Sequence, residues 1–244
     1  MNSIILCEGC TDAILLSYYL GKMYGWCYSK KAPRSYTKIE AESNQEINWY
    51  KRGEDNLLIY GVGGKDNFVN VINKYVSQIL QNYPEDDSFS RIIIVADKDD
   101  KEISEIEVLH QQWLSPYAQG VKNSQWIENS FIDNFGNKQK LSTLSIIIPS
   151  EKQGALETTL LDAISENEYD KVIVEQSEVF VKNIRPIAEK YIKTDRLALK
   201  AHLATVFAVM SPEKVFSQLD LLIKEVPWEK SKILRECFSL LEEI

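Results

Sequence analysis

The chain has 244 residues, 44% of them hydrophobic, and a formal net charge of -8 at pH 7. That size suits one large domain or a domain with an appendage, and the apolar fraction supports a real core. The acidic balance excludes a general nucleic-acid binder held by a basic surface, yet it leaves open an enzyme that gathers carboxylates around cations. No apolar run approaches the roughly 20 residues of a membrane span, so no membrane association is expected.

The opening run Met1-Asn2-Ser3-Ile4-Ile5-Leu6 has no basic segment ahead of it, and Glu8 soon breaks it. A secretory signal is therefore not expected, and a cytoplasmic location is. Ile4 to Cys7 reads instead as a buried parallel strand. Glu8-Gly9 then turns the chain into an apolar helix over Ala13–Leu20, with Thr11 or Asp12 as the expected N-cap. Cys7 and Cys10 form a C-x-x-C at this junction, and Cys27 and Cys237 complete the cysteines. His110 and His202 stand at no zinc-site spacing, so both read as packing or surface residues and the thiols as free. A thioredoxin-like redox site is the alternative for Cys7 and Cys10.

Residues 26–56 read as a polar, irregular excursion that mixes Trp26, Tyr28, Tyr36, Trp49 and Tyr50 with Arg34, Lys38, Lys51 and Arg52. Basic and aromatic residues so mixed also suit a surface for single-stranded nucleic acid, although Glu40, Glu42 and Glu46 oppose that. A second strand over Asn56–Tyr60 leads into Gly61-Val62-Gly63-Gly64-Lys65, a tight turn that lacks the spacing of a phosphate loop. Lys65 is nevertheless a candidate phosphate contact. An amphipathic helix is expected over Phe68–Leu80. The clearest strand, Arg91–Ala96, ends in Asp97-Lys98-Asp99-Asp100, and a helix follows over Glu102–Leu114. Residues 126–148 read as a hairpin around Asn134-Phe135-Gly136-Asn137. Beyond Ala155 the pattern becomes helical, with helices expected over 155–166, 177–192, 195–210, 212–225 and 228–243.

Alternating strands and helices imply an α/β fold with a mainly parallel sheet and helices on both faces. The division expected is an α/β domain over 1–166 and a helical appendage over 167–244. Sites in such folds lie beyond the carboxyl ends of the strands, where Glu8, the 61–67 turn and Asp97–Asp100 would meet. Glu8 is neither a preferred cap nor a favoured turn residue. Asp97 and Asp99 point the same way if the backbone stays extended, and they repel unless a cation or a proton intervenes. Mg²⁺ is the natural partner for such oxygens. The bland alternative makes Asp97 a cap of the following helix and leaves Asp99 in solvent.

Two segments resemble the motifs of the Toprim family. Ile4-Ile5-Leu6-Cys7-Glu8-Gly9-Cys10-Thr11-Asp12 resembles the first, a hydrophobic strand, Glu-Gly, then Asp four after the Glu. Ile92-Ile93-Ile94-Val95-Ala96-Asp97-Lys98-Asp99 resembles the second, a strand ending in Asp-x-Asp. The chain is most similar to OLD-type nucleases and the small Toprim proteins related to them. That resemblance implies a Toprim-like fold over about residues 1–165 and a Mg²⁺- or Mn²⁺-dependent nuclease acting on DNA or RNA. It implies metal ligation by Glu8, Asp12, Asp97, Asp99 and Glu157, and a catalytic role for Lys200. No Walker motif is present, so an OLD-type ATPase would have to be a separately encoded partner. The rival expectation is a non-catalytic nucleic-acid-binding or regulatory module.

Overall fold

The computed structural model describes residues 1–33, 39–214 and 219–244, with the side chains of 219 and 220 left aside. Arg34, Tyr36 and Lys38 of the basic-aromatic stretch, and part of the helix expected over 212–225, lie outside the described residues. A seven-stranded sheet is built from β1 (Asn2–Cys7), β2 (Cys27–Ser29), β3 (Glu46–Arg52), β4 (Asp55–Gly61), β5 (Arg91–Asp97), β6 (Ile127–Ile132) and β7 (Lys138–Ile148). Its order is β2-β3-β4-β1-β5-β7-β6. The four central strands β4, β1, β5 and β7 are parallel neighbours, while β3 and β6 run against them at the two sides. The fold is α/β with a mostly parallel sheet.

Period-two alternation decides which helices each strand meets. Ile5, Cys7, Ile93 and Val95 face one core; Ile4, Leu6, Ile92 and Ile94 face the other. The first core is covered by α1 (Cys10–Tyr24) and by α5 (Leu156–Ile164), α6 (Glu168–Ile184), α7 (Asp195–Met210), α8 (Leu219–Ile223) and α9 (Lys232–Cys237). The second is covered by α2 (Phe68–Val71), α3 (Ser77–Asn82) and α4 (Ile103–Trp113). Among the described residues no strand follows Ile148. Val174, Leu203, Phe207 and Trp228 nonetheless share one core with Ile5 of β1 and Leu16 of α1. No helix among the described residues is long and apolar enough to cross a membrane.

Several expectations need correction. Residues 26–56 are not simply irregular: β2 and β3 extend the sheet antiparallel, because Ile47 and Trp49 reach one core and Tyr50 the other. The helix expected from 177 begins at Glu168, where Asn167 caps it by accepting from the Tyr169 and Asp170 amides. It ends at Ile184 rather than 192, because Pro186 lacks the amide that would continue it. The helix expected over 68–80 carries a π turn at Ile72–Val76 between α2 and α3. That over 228–243 is broken into α9 and two 3-10 turns, Trp228–Lys230 and Ser239–Glu243. Helix α1 is not capped by Thr11 or Asp12. Its cap is Gly9, and the Asp12 carboxylate folds back to accept the Gly9 amide at 3.1 Å.

Candidate functional site

The central strand β1 has β4 on one side and β5 on the other, so the chain changes direction across it. The carboxyl ends of such strands bound a crevice. Backbone close packing shapes this one. A Cβ on Gly61 would stand 2.9 Å from the Gly9 carbonyl oxygen, so the end of β4 presses against the turn after β1 only because position 61 has no side chain. The Gly64 amide donates to the Glu8 carbonyl at 2.8 Å, which ties the two turns.

Glu8, Asp97 and Asp99 meet at this end of the sheet. The Asp97 amide donates to Glu8 Oε1 at 2.9 Å. Asp97 is 2% exposed, and its Oδ1 accepts the Leu156 amide at 2.7 Å. Asp97 is thus a helix cap after all, but of α5, which starts 59 residues on, and not of the helix that follows it. The strand ends at Asp97, and Asp99 takes a left-handed backbone with φ +54°. The extended i, i+2 geometry expected for the pair is therefore absent. The Asp99 amide and carbonyl are instead pinned to Gly154 by paired bonds of 2.7 and 3.0 Å.

A residue that sequence reasoning missed joins the acids. Arg196, in the first turn of α7, donates through Nη2 to Asp97 Oδ2 at 2.5 Å and through Nη1 to Asp99 Oδ1 at 3.0 Å. Lys65 donates to Asp99 Oδ2 at 3.0 Å and lies 3.4 Å from the Asp97 carbonyl. Glu157, on the first turn of α5, stands 3.8 Å from Arg196 and 3.9 Å from Lys200. Lys200 is 56% exposed and touches the cluster only through Glu157. The signal for Arg196 was its place one helical turn before Lys200, which puts both on one face of α7.

Burial and mutual repulsion raise the proton affinity of Glu8, Asp12 and Asp97. Burial and the adjacent Asp97 push Glu8 up to about 7. Burial, with Asp97 and Glu8 nearby, holds Asp12 well above the usual carboxylate range. Asp97 is raised by burial, and the charge and hydrogen bond of Arg196 only partly offset this. Arg196 is the mirror case: burial disfavours its charge, but Asp97, Glu157 and Asp99 hold the guanidinium above its ordinary value.

The donor set is oxygen-rich, which suits a hard cation such as Mg²⁺ or Mn²⁺. One observation supports the fit directly: Glu157 Oε2 is buried with no hydrogen-bond partner. As the side chains stand, no group of three or more His, Cys, Asp or Glu among the described residues is arranged to hold a metal ion. The reason is on view, since the Arg196 fork lies between the aspartates.

The other candidates fall outside this cluster. The cysteines are free, and burial pushes the Cys7 thiol up, the opposite of an activated thiolate. His110 Nδ1 pairs with Ser145 Oγ at 2.9 Å, and His202 Nε2 donates to the Val174 carbonyl at 2.8 Å; both rings are packed inside. Trp26, Trp49 and Tyr50 are buried, whereas Tyr28 is exposed beside a cleft of about 920 Å³ that Tyr18, Lys22, Tyr50 and Glu46 also line.

The family model described as a protein of unknown function, DUF3226, matches residues 2–236. No curated protein matches the chain. The crystal structure of hypothetical protein PH0156 from Pyrococcus horikoshii OT3 overlaps 99% of this chain and 98% of its own, at 19% identity and a TM-score of 0.47. That of lactoylglutathione lyase from Agrobacterium tumefaciens overlaps 59% of this chain and 92% of its own, at 14% identity and a TM-score of 0.18. Neither overlap is close enough to carry an argument.

Proposed function

The chain belongs to the DUF3226 family, and from its site we propose that it is a metal-dependent phosphodiesterase, a nuclease cleaving DNA or RNA through a Toprim-like, OLD-related acidic centre. The observation that carries this reading is the meeting of Glu8 with Asp97 across the ends of β1 and β5, with Asp99 and Glu157 beside them. Buried acids gathered at one strand end cost stability, and perturbed groups of this kind cluster at functional sites.

Asp97 and Asp99 would hold Mg²⁺ or Mn²⁺, with Asp12 and Glu157 completing the acidic shell. Such an ion, when bound, polarises a phosphoryl oxygen and lowers the pKa of water. Glu8 has one oxygen engaged by the Asp97 amide, so its Oε2 would either join the ligands of the ion or manage the proton of the attacking water. In the metal-free protein, burial and the adjacent Asp97 push Glu8 up to about 7, which suits proton exchange near neutral pH. Lys65 and Lys200 supply positive charge at the rim for the phosphate oxygens. The free thiols support a cytoplasmic setting.

The test is cleavage of single- and double-stranded DNA, RNA and an activated model diester by the pure protein with Mn²⁺ or Mg²⁺. Cleavage that Asp97→Asn abolishes is the expected result. A second reading has its own observation: Arg196 and Lys65 already neutralise Asp97 and Asp99. That favours a non-catalytic nucleic-acid-binding or regulatory module, working beside a separately encoded ATPase. Binding of Mn²⁺ or nucleic acid without cleavage of any of these substrates would select it.

A further inference from the structure

Arg196 has no part in the mechanism above, yet it bonds two of the cluster's acids, Asp97 at 2.5 Å and Asp99 at 3.0 Å. Its fork spans acids from the end of β5, the loop after it and the start of α5. Its nitrogens engage Asp97 Oδ2 and Asp99 Oδ1, oxygens that a divalent ion shared by the two aspartates would also need. A guanidinium serves the cluster imperfectly: it leaves Glu157 Oε2 at 3.8 Å, and that buried oxygen has no hydrogen-bond partner. A small, doubly charged ion seated among the same acids would satisfy it. Arg196 is also the member of the cluster free to leave. It is 38% exposed, extends from the first turn of α7, and can turn outward without disturbing the helix, which Thr194 caps through the Leu197 amide.

We propose that Arg196 is the substrate-phosphate ligand of this site and trades places with the divalent cation. This rests on the reading of the cluster as a cation-dependent phosphodiester site. Without the cation, the guanidinium stands in for it among Asp97, Asp99 and Glu157. When the cation takes those oxygens, the two positive charges repel, and the fork swings to the open side of the crevice. There its paired donors fit two oxygens of a phosphate. No bond is made or broken in the exchange. It couples the two ligands: phosphate holds the released arginine, so each ligand favours the other. It also accounts for a buried acid cluster that is neutralised by the chain itself before any substrate arrives.

The experiment compares wild type with Arg196→Gln and Arg196→Lys. Mn²⁺ affinity is measured by electron paramagnetic resonance of the free ion, and inorganic phosphate affinity by calorimetry at saturating Mn²⁺. Thermal unfolding reports whether each variant folds. The expected signature is opposite in sign for the two ligands. Arg196→Gln removes the competitor and tightens Mn²⁺ about tenfold, while phosphate weakens about tenfold. Arg196→Lys keeps a charge without the fork, so it lies between the two and serves if the glutamine variant fails to fold. Mn²⁺ affinity that stays the same or weakens in both variants overturns the exchange, because an arginine that merely supports the acids would loosen both ligands together. If neither wild type nor variants bind Mn²⁺ at millimolar concentration, the underlying reading of the cluster fails instead.

Discussion

Asp133, in the turn between β6 and β7, and Asp97, at the end of β5, are both buried aspartates, and the fold treats them in opposite ways. Asp133 accepts from Gln139 at 2.7 Å, from the Asn137 amide at 2.8 Å and from the Phe135 amide at 2.9 Å. Burial works against its charge, but these neutral donors win, and its carboxyl is held below the usual range. Asp97 receives a single neutral donor, the Leu156 amide, beside a charged arginine and among other acids. Its carboxyl is left above the usual range. A carboxylate saturated by fixed dipoles is finished chemistry and serves the turn. One balanced between a charged arginine and neighbouring acids keeps its charge available.

The widest gap between the two should appear in activity. Asp97→Asn is expected to lower metal-dependent cleavage by about a thousandfold or more, the scale of losing a preorganised charge at a reacting centre. The folded protein should survive, since the asparagine oxygen still accepts the Leu156 amide and acid repulsion falls. Melting well below wild type would make Asp97 a second Asp133.

The next effect lies in pH dependence. Glu8 has its folded pKa raised from 4.5 to about 7, so the unfolded chain loses its proton first as pH rises. In metal-free protein, stability should therefore fall between about pH 4.5 and 7, by roughly 2–3 kcal/mol, and Glu8→Gln should flatten that slope. Asp133, with its pKa lowered, contributes the opposite sign: its stabilisation is present above the ordinary carboxylate range and is lost as pH falls below it. Urea titrations at several pH values in a chelator would read both.

A smaller effect is expected on the structural side. Asp133→Ala should lower the melting temperature by several degrees while leaving Mn²⁺ affinity unchanged, since its donors belong to the hairpin alone. A shift in Mn²⁺ affinity would erase the distinction. The smallest effect belongs to Cys10→Ser, which should leave cleavage nearly unaltered. The Cys10 thiol donates weakly to the Asn44 carbonyl at 3.9 Å, and its pKa is raised by burial.

Local pattern was enough to mark the acid-bearing strand ends. Ile4–Cys7 and Ile92–Ala96 are apolar runs that must be buried, and a polar residue after such a run lies beyond the strand, at the crevice. Glu8, Asp97 and Asp99 were legible on that ground, as was the α/β alternation. Strands β2 and β3 were not, because exposed Tyr28 and Lys51 interrupt any apolar run at this side of the sheet. The start of α6 was hidden by exposed apolar residues such as Tyr169 and Val172, which blur its helical face.

What the amino-acid order determined by itself, then, is which acids stand at strand ends, because side-chain periodicity is a property of neighbours. It could not say what answers their charge. Arg196 lies 99 residues from Asp97 and reads as an ordinary helical arginine until α7 is laid beside α5. The α5 amide that binds Asp97 comes from a helix whose own sequence offers no polar cap at Ala155. Both partners are chosen by packing across the sheet end, where distance in space is set by the whole hydrophobic core rather than by local spacing. The identity of the acids was therefore written locally, and their state of charge was decided by the tertiary structure.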